Sequence, residues 1–163
     1  MFAWTYEELK TYDTKIIQHV IPIKDGIRPY QQPLRKMHPK LEPLIQSEVK
    51  KLLDAKIIFK VRHSEWVSNL VPVRKKSREI KLCVDFRNLN HASDKHNYRV
   101  PPMEQILQMV SGSELFSLLD RFSGYNQVLV ADEDRLKTTF RTKWGAFAYR
   151  RMPFGLINAR ATL

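Results

Sequence analysis

Apolar side chains recur at helical spacing near residue 50, and charged side chains occupy the opposite face. The apolar members are Leu44, Ile45, Val49, Leu52 and Leu53. Pro43 precedes them, and a first helical turn tolerates proline because its missing N–H would have no partner there. The pattern therefore predicts an amphipathic helix over residues 43–55.

Short runs of β-branched and apolar residues predict strands directly after this helix. Residues 57–59 (IIF) form the first such run. Residues 70–73 (LVPV) and 80–84 (IKLCV) predict the two arms of a β-hairpin, joined by a loop at residues 74–79.

A second helix and a further strand follow from the next apolar patterns. The proline pair at 101–102 opens the helix, and residues 111–112 (SG) end it. Its apolar face consists of Met103, Ile106, Leu107 and Val110. Residues 115–119 (LFSLL) have the pattern of a buried strand that runs into Asp120.

The last part of the chain alternates between strand and turn signals. Residues 127–130 (QVLV) predict a return strand. Residues 137–141 and 147–151 predict a second hairpin around the turn at 144–145 (WG), and helical character begins at Gly155.

Residues 1–37 carry no sustained periodicity and are predicted to be a linker that ends in an extended arm. Within them, residues 16–23 (IIQHVIPI) favour a short strand, and residues 25–26 (DG) favour a turn. Composition does not change abruptly afterwards, so residues 38–163 are predicted to form one unit.

Composition and charge narrow the class of protein. The 163 residues suffice for one domain with a core, and the formal net charge is +11. That excess favours a polyanionic partner, nucleic acid first and an anionic membrane second, while a solvated basic surface is an equal alternative. The one cysteine, Cys83, excludes an internal disulfide and fits a reducing compartment. No apolar run approaches the ~20 residues that span a bilayer, so no membrane span is predicted, and nucleic acid rather than a membrane is the expected partner.

Asp120 is the first candidate for chemistry. A carboxylate that ends an apolar strand is costly unless it is solvated or paired with a cation, and Mg²⁺ prefers such oxygen ligands. A helix-cap or turn role is the alternative, which the nearby Ser123 and Gly124 favour when spacing alone is considered.

A basic cluster on the first hairpin is the second candidate. Its members are Arg74, Lys75, Lys76, Arg78 and Lys81. Cations at a hairpin tip can grip phosphates, and a charged edge that discourages strand pairing is the alternative.

Two aromatic positions complete the candidates. Tyr125, shortly after Asp120, could stack on a sugar or a base, and core packing is its alternative. Phe154 and Gly155 lie in a turn that opens a helix, where free N–H groups can face a phosphate. An ordinary helix start is the alternative reading of that turn.

Taken in order, these segments resemble gypsy-type LTR retrotransposon reverse transcriptases, and the residues within the motifs are similar to those of plant elements. The matching segments are residues 64–68 (SEWVS), 84–90 (VDFRNLN), 116–120 (FSLLD), 123–127 (SGYNQ), 137–142 (KTTFRT) and 149–156 (YRRMPFGL). The resemblance covers residues 15–163. It implies an α+β fold made of the fingers and the early palm, with an incomplete antiparallel palm sheet, helices on one face and a fingers hairpin.

The resemblance also implies roles for the candidate residues. Asp120 would be one of three aspartates that hold two Mg²⁺ ions, and the backbone carbonyl of Arg121 would help to ligate the triphosphate-bound ion. The implied partners are deoxynucleoside triphosphates, an RNA or DNA template-primer, and the remaining palm, thumb and RNase H parts of a polyprotein.

For the incoming nucleotide, the resemblance implies a set of contacts from both halves of the chain. Arg74 and Lys81 would grip the triphosphate. Tyr125 would pack under the sugar and reject a 2′-hydroxyl. Phe154 and Gly155 would pack near the nucleotide and the template.

Several positions depart from the family pattern. The paired Asp-Asp motif does not occur between Asp120 and the last residue, and residues 132–134 (DED) are expected in a surface loop. Arginine stands at 78, where the family commonly has glycine, at 121, where it has a small or apolar residue, and at 160, where it has glycine or proline. These changes suggest a decaying copy.

The prediction is thus the reverse transcriptase domain of a retrotransposon polyprotein, an RNA-directed DNA polymerase that is inactive as this chain alone. A non-catalytic nucleic-acid-binding remnant and a fragment that cannot fold are the alternatives. The expected location is the cytoplasm, including a virus-like particle, with the nucleus as an alternative.

Overall fold

The computed structural model describes residues 8–74, 80–98, 101–115 and 124–162. Within these ranges five strands form one sheet in the order β1-β5-β4-β2-β3. The strands are β1 (Ile58–Val61), β2 (Ser68–Arg74), β3 (Ile80–Val84), β4 (Phe140–Thr142) and β5 (Gly145–Tyr149). The pair β2 and β4 is parallel and the other neighbouring pairs are antiparallel, so the sheet is mixed. The predicted α+β class is confirmed.

Both predicted hairpins are present. In the first, Leu70 lies opposite Val84 and Arg74 lies opposite Ile80. In the second, β4 begins later than expected, because Asp132–Thr138 form a 3-10 helix. The hydroxyl of Thr138 stabilises the end of this helix by donating to the carbonyl of Arg135 at 2.6 Å.

The first predicted helix is confirmed almost to the residue. Helix α1 spans Glu42–Asp54 and buries Ile45 and Val49. Helix α2 (Arg87–Ala92) was not predicted from the sequence. Its short length and polar composition hide the helical period, since only Leu89 and Ala92 are buried.

The second predicted helix, α3, spans Met103–Val110 and has its expected bounds. No residue of α3 is buried against the described part of the chain. A short last helix, α4 (Ala159–Thr162), follows the turn around Gly155. None of the helices in the described ranges is long and apolar enough to cross a bilayer.

Two predicted strands form only single bridges. Within residues 16–23, His19 bridges Val130 and Ile23 bridges Ser93. Within residues 127–130, Val130 makes this bridge to His19 and Leu129 bridges Arg151. A ladder of backbone hydrogen bonds needs two regular strands side by side. The neighbours of these two segments are irregular, so only isolated bridges form.

Aromatic rings occupy the centre of the core. Phe140 lies 5.8 Å from Phe147 and 5.5 Å from Tyr149, measured between ring centroids. Phe86 meets the edge of Tyr149 at 6.4 Å. The buried ring of Phe86 therefore anchors the start of α2 on the sheet, and α2 in turn supports the candidate site.

The expectation that Asp134 lies in a surface loop was wrong. Asp134 is 3% exposed and accepts a hydrogen bond from the backbone N–H of Ile21 at 2.6 Å. Lys137 donates to the Asp134 carboxylate and to the carbonyl of Ile21. We call Ile21, Asp134 and Lys137 the arm latch, because they fasten the N-terminal arm to the 3-10 helix.

Candidate nucleotide site

Three of the predicted site residues meet on one surface. Lys81 projects from β3 with its Nζ atom 4.6 Å from the ring centroid of Phe154. The ring of Tyr125 meets Phe154 edge to face, with centroids 5.7 Å apart and planes at 80°. We call Lys81, Tyr125 and Phe154 the aromatic–cation cluster. Attraction between the ammonium and the ring face favours this arrangement.

The cluster combines one supported ring and one exposed ring. Tyr125 lies in the 3-10 helix Gly124–Gln127 and packs partly buried against the core. Phe154 is 58% exposed although its ring is apolar. Single exposed apolar rings are common on protein surfaces, so it is the cation and the second ring beside Phe154 that make this surface a candidate site.

The backbone conformation of Gly155 explains why a glycine follows Phe154. Its φ angle is +103°, a conformation that residues with a Cβ atom rarely adopt. A Cβ atom there would lie 3.6 Å from Cδ2 of Phe86, which is an ordinary contact. The requirement for glycine therefore comes from the backbone and not from a steric clash.

Two asparagines hold the turn in place. Asn90 of α2 donates from Nδ2 to the carbonyl of Gly155 at 2.8 Å, and its Oδ1 accepts from the N–H of Ile157 at 2.9 Å. Asn158 donates to the carbonyl of Asp94 and accepts from the N–H of His96. Sequence reasoning gave neither asparagine a role, although both lie in or beside the segments that carry the resemblance.

Arg74 does not join the cluster. It lies opposite Ile80, whereas Lys81 lies opposite Val73. Since residues directly opposite each other share a face and neighbours along a strand alternate, Arg74 and Lys81 point to opposite faces of the hairpin. Their predicted joint grip on a triphosphate stays a prediction.

The remaining predicted residues lie outside the described part of the chain. They are Lys75, Lys76, Arg78, Asp120 and Arg121. Among the described residues, no group of three or more His, Cys, Asp or Glu side chains is placed to hold a metal ion. The predicted Mg²⁺ site therefore depends on Asp120, for which the structure provides no geometry.

A polar cleft that sequence reasoning missed lies near the first hairpin. Its cavity of about 220 Å³ is lined by Tyr30, Gln32, Pro33, Arg35, Asn69, Asp85, Arg87 and Asn88. A larger cavity of about 490 Å³ shares three of these residues and adds further basic residues, Arg28 and His91. We call the two together the arginine cleft.

Asp85 and Arg87 form the fixed part of the arginine cleft. Arg87 donates from Nε to Oδ1 of Asp85 at 2.8 Å and from Nη2 to Oδ2 at 2.6 Å. These hydrogen bonds hold the pKa of the Asp85 carboxyl below its usual value. The spacing Asp-x-Arg in residues 84–90 was a signal for this pair, because a planar guanidinium and a carboxylate match in a two-bond fork.

Comparisons with known proteins point to one group of polyproteins. The chain is 30% identical over 155 residues to a retrovirus-related Pol polyprotein from transposon 297 of Drosophila melanogaster, covering 91% of this chain and 14% of that protein. It is 36% identical over 121 residues to the Pol polyprotein from transposon gypsy of the same organism, covering 71% and 12%. An RNA-directed DNA polymerase homolog of Oenothera berteroana is 40% identical over 83 residues, covering 51% and 58%. No protein-family model matches the chain.

Solved structures identify the fold. The protease-reverse transcriptase of prototype foamy virus matches with a TM-score of 0.77 and 20% identity, over 94% of this chain and 21% of that one. The foamy viral enzyme in complex with an RNA/DNA hybrid matches with a TM-score of 0.70 and 18% identity, over 94% and 21%. The chain thus spans only part of each protein that it resembles.

Proposed function

Because the chain belongs to the reverse transcriptases of gypsy-type retrotransposon polyproteins, we propose that the aromatic–cation cluster holds the incoming deoxynucleoside triphosphate of an RNA-directed DNA polymerase. The observation that carries this proposal is the convergence of Lys81, Tyr125 and Phe154. These residues come from a strand, a 3-10 helix and a turn that are far apart in sequence.

Each member of the cluster suits one part of the nucleotide. The Lys81 ammonium is a compact cation with three donors, which suits a phosphate. The exposed face of Phe154 offers an apolar surface to a ring or a sugar. Tyr125, which the core supports from behind, would occupy the space that a 2′-hydroxyl needs, so the site would favour deoxyribonucleotides.

Asp120 is the residue that we assign to Mg²⁺, with the backbone carbonyl of Arg121 beside it. When bound, the metal would compensate the negative charge of the triphosphate. One aspartate provides too few ligands for two ions, so we expect no polymerisation by this chain alone. The remaining carboxylates would come from the longer polyprotein.

The arginine cleft is the surface that we assign to the nucleic acid strand. Arg28, Arg35 and Arg87 line it, Asp85 offsets one of these three positive charges, and the whole chain carries a formal net charge of +11. The side chain of Arg87 is 85% exposed although Asp85 fixes its orientation, so it can reach a phosphate without reorganising.

Nucleic-acid binding without chemistry is the second candidate function. The observation in its favour is the arginine cleft itself, because its arginines can attract a phosphate backbone without a metal ion. Primer extension with the 163-residue chain and with the whole parent polyprotein separates the two. For the parent enzyme we propose a cytoplasmic location, including a virus-like particle, with the nucleus as the alternative.

The test of the nucleotide assignment uses sugar selection in the parent enzyme. Tyr125→Ala should raise the incorporation of ribonucleotides relative to deoxyribonucleotides in a primer-extension assay. Tyr98→Ala is the matched control, because Tyr98 is 63% exposed and lies outside the cluster. An unchanged ratio in Tyr125→Ala would return Tyr125 to a packing role.

A further inference from the structure

A cavity of about 270 Å³ lies where the arm passes α1 and the β4–β5 turn. It is distinct from the aromatic–cation cluster, with which it shares no residue. Its apolar lining consists of Leu34, Met37, Ile45, Leu70 and Trp144. An apolar cavity of roughly 150 Å³ can already take a benzene ring. This larger cavity therefore has room for one large apolar side chain.

The cavity has a fixed floor and an open mouth. Ile45 is 1% exposed and Leu70 is fully buried, so the floor belongs to the core. Leu34 at the mouth is 54% exposed, although its side chain is apolar. An apolar mouth and an apolar floor give an entering side chain continuous contact, and each buried CH₂ group contributes about 0.8 kcal/mol.

Positive charge surrounds this apolar cavity. The charged residues that line it are Arg35, Lys36, Arg141, Lys143 and Glu42. Lys143 pairs with Glu42, the one acid among them. Within the described ranges, the other three cations form no ion pair. The rim therefore attracts anions on either side of an apolar group.

We propose that this cavity docks a peptide segment in which one large apolar side chain is flanked by acidic residues. The apolar side chain enters between Leu34 and Trp144, and the acidic flanks meet Arg35, Lys36 and Arg141. This assigns a protein partner to a cavity that shares no residue with the aromatic–cation cluster and one residue, Arg35, with the arginine cleft.

The lining favours a peptide over a nucleotide. A base carries donors and acceptors on its edge, and burying them without partners is costly. The hydroxyl of Thr142 already donates to the carbonyl of Gly145 at 3.0 Å and accepts from the N–H of Trp144 at 3.2 Å. The polar group nearest the turn is thus occupied, whereas an apolar side chain needs no such partner.

Fluorescence anisotropy with the full 163-residue chain tests the proposal. The probe is a labelled peptide with one phenylalanine between pairs of glutamates. A second peptide has serine for phenylalanine, and a third has glutamines for the glutamates. An oligothymidylate serves as the nucleic acid competitor.

Two substitutions should change the site and leave the fold intact, because Leu34 and Lys36 are both exposed. Leu34→Asp should raise the Kd of the peptide about tenfold, because it places a charge in the apolar mouth. Its control is Leu44→Asp, since Leu44 is also exposed but does not line the cavity. Lys36→Glu should raise the Kd about threefold, with Lys40→Glu as the control that makes the same charge change elsewhere.

The proposal is supported if the probe binds better than both altered peptides and only the two cavity substitutions weaken it. Equal weakening by the control substitutions would overturn it, because charge attraction alone would then explain binding. Failure of the probe to bind would also overturn the proposal. If oligothymidylate displaces the probe and its own binding is weakened by Leu34→Asp, the cavity would be assigned to nucleic acid instead.

Discussion

The arm latch and the aromatic–cation cluster invert the usual placement of polar and apolar groups. In the latch, the Asp134 carboxylate is 3% exposed. In the cluster, the Phe154 ring is 58% exposed. The buried acid has its hydrogen-bond partners, Ile21 and Lys137, inside the protein. The exposed ring has a cation and a second ring beside it and still presents more than half of its surface to solvent.

This difference separates structural from functional roles. A buried charge with internal partners contributes to holding the chain together, and removing one partner leaves the other unpaired. An exposed apolar ring on a clamped turn contributes little to the fold, since solvent still surrounds much of it. Substitutions in the latch should therefore change stability, and substitutions in the cluster should change binding.

The largest effect is expected from Asp134→Ala. The change leaves the N–H of Ile21 and the ammonium of Lys137 without their carboxylate, so the free energy of unfolding should fall by about 3–5 kcal/mol. Chemical denaturation measures it. The control is Asp132→Ala, which removes an exposed carboxylate paired with Arg135 and should cost less than about 1 kcal/mol. Equal losses would contradict the structural role of the latch.

The next effect concerns pH and a histidine beside the latch. Burial lowers the pKa of His19 to about 4, and the opposing influence of Asp134 is smaller. Its Nδ1 atom lies 2.8 Å from Oγ1 of Thr162, which itself donates to the carbonyl of Asn158. As the pH falls, the His19 imidazole therefore takes up a proton near pH 6.5 in the unfolded chain and only near pH 4 in the folded chain.

Stability linked to His19 should be full above pH 6.5 and should fall by about 3 kcal/mol as the pH drops towards 4. Denaturation at a series of pH values measures this slope. His19→Gln should flatten it, and His63→Gln, at an exposed position, should not. A slope that survives in His19→Gln would mean that other groups cause it. Asp85 is not one of them, because the lowered pKa of its carboxyl changes the free energy of unfolding only below pH 3.8.

A smaller effect is expected at the turn that carries Phe154. Gly155→Ala forces a side chain onto a backbone with φ of +103° and should cost about 1–3 kcal/mol. Gly26→Ala is the matched control, with φ of +77° and open space around the added methyl group. It should cost about 1 kcal/mol. Only the change at Gly155 should also disturb Phe154, which near-ultraviolet circular dichroism can report.

Sequence patterns predicted the elements whose period is long enough to recognise. Helix α1 and the first hairpin follow directly from spacing, while α2 has too few apolar positions to show a period. Asp134 could not be placed, because its backbone partner Ile21 lies 113 residues away and contributes no side-chain signal. The cluster residues were each predicted by resemblance, but their convergence depends on the Gly155 turn and its asparagine clamps.

The smallest effects on stability are expected from Lys81→Met and Phe154→Ser in the parent enzyme. The same two variants test most directly whether the aromatic–cation cluster binds the incoming nucleotide. Both side chains are exposed, so the melting temperature should change little. The measurement is the KM for a deoxynucleoside triphosphate in primer extension, with Lys60→Met as an exposed control on β1. We expect the KM to rise about tenfold or more in both cluster variants and to stay unchanged in the control. An unchanged KM together with a lowered melting temperature would show that the cluster is packing and not a nucleotide site.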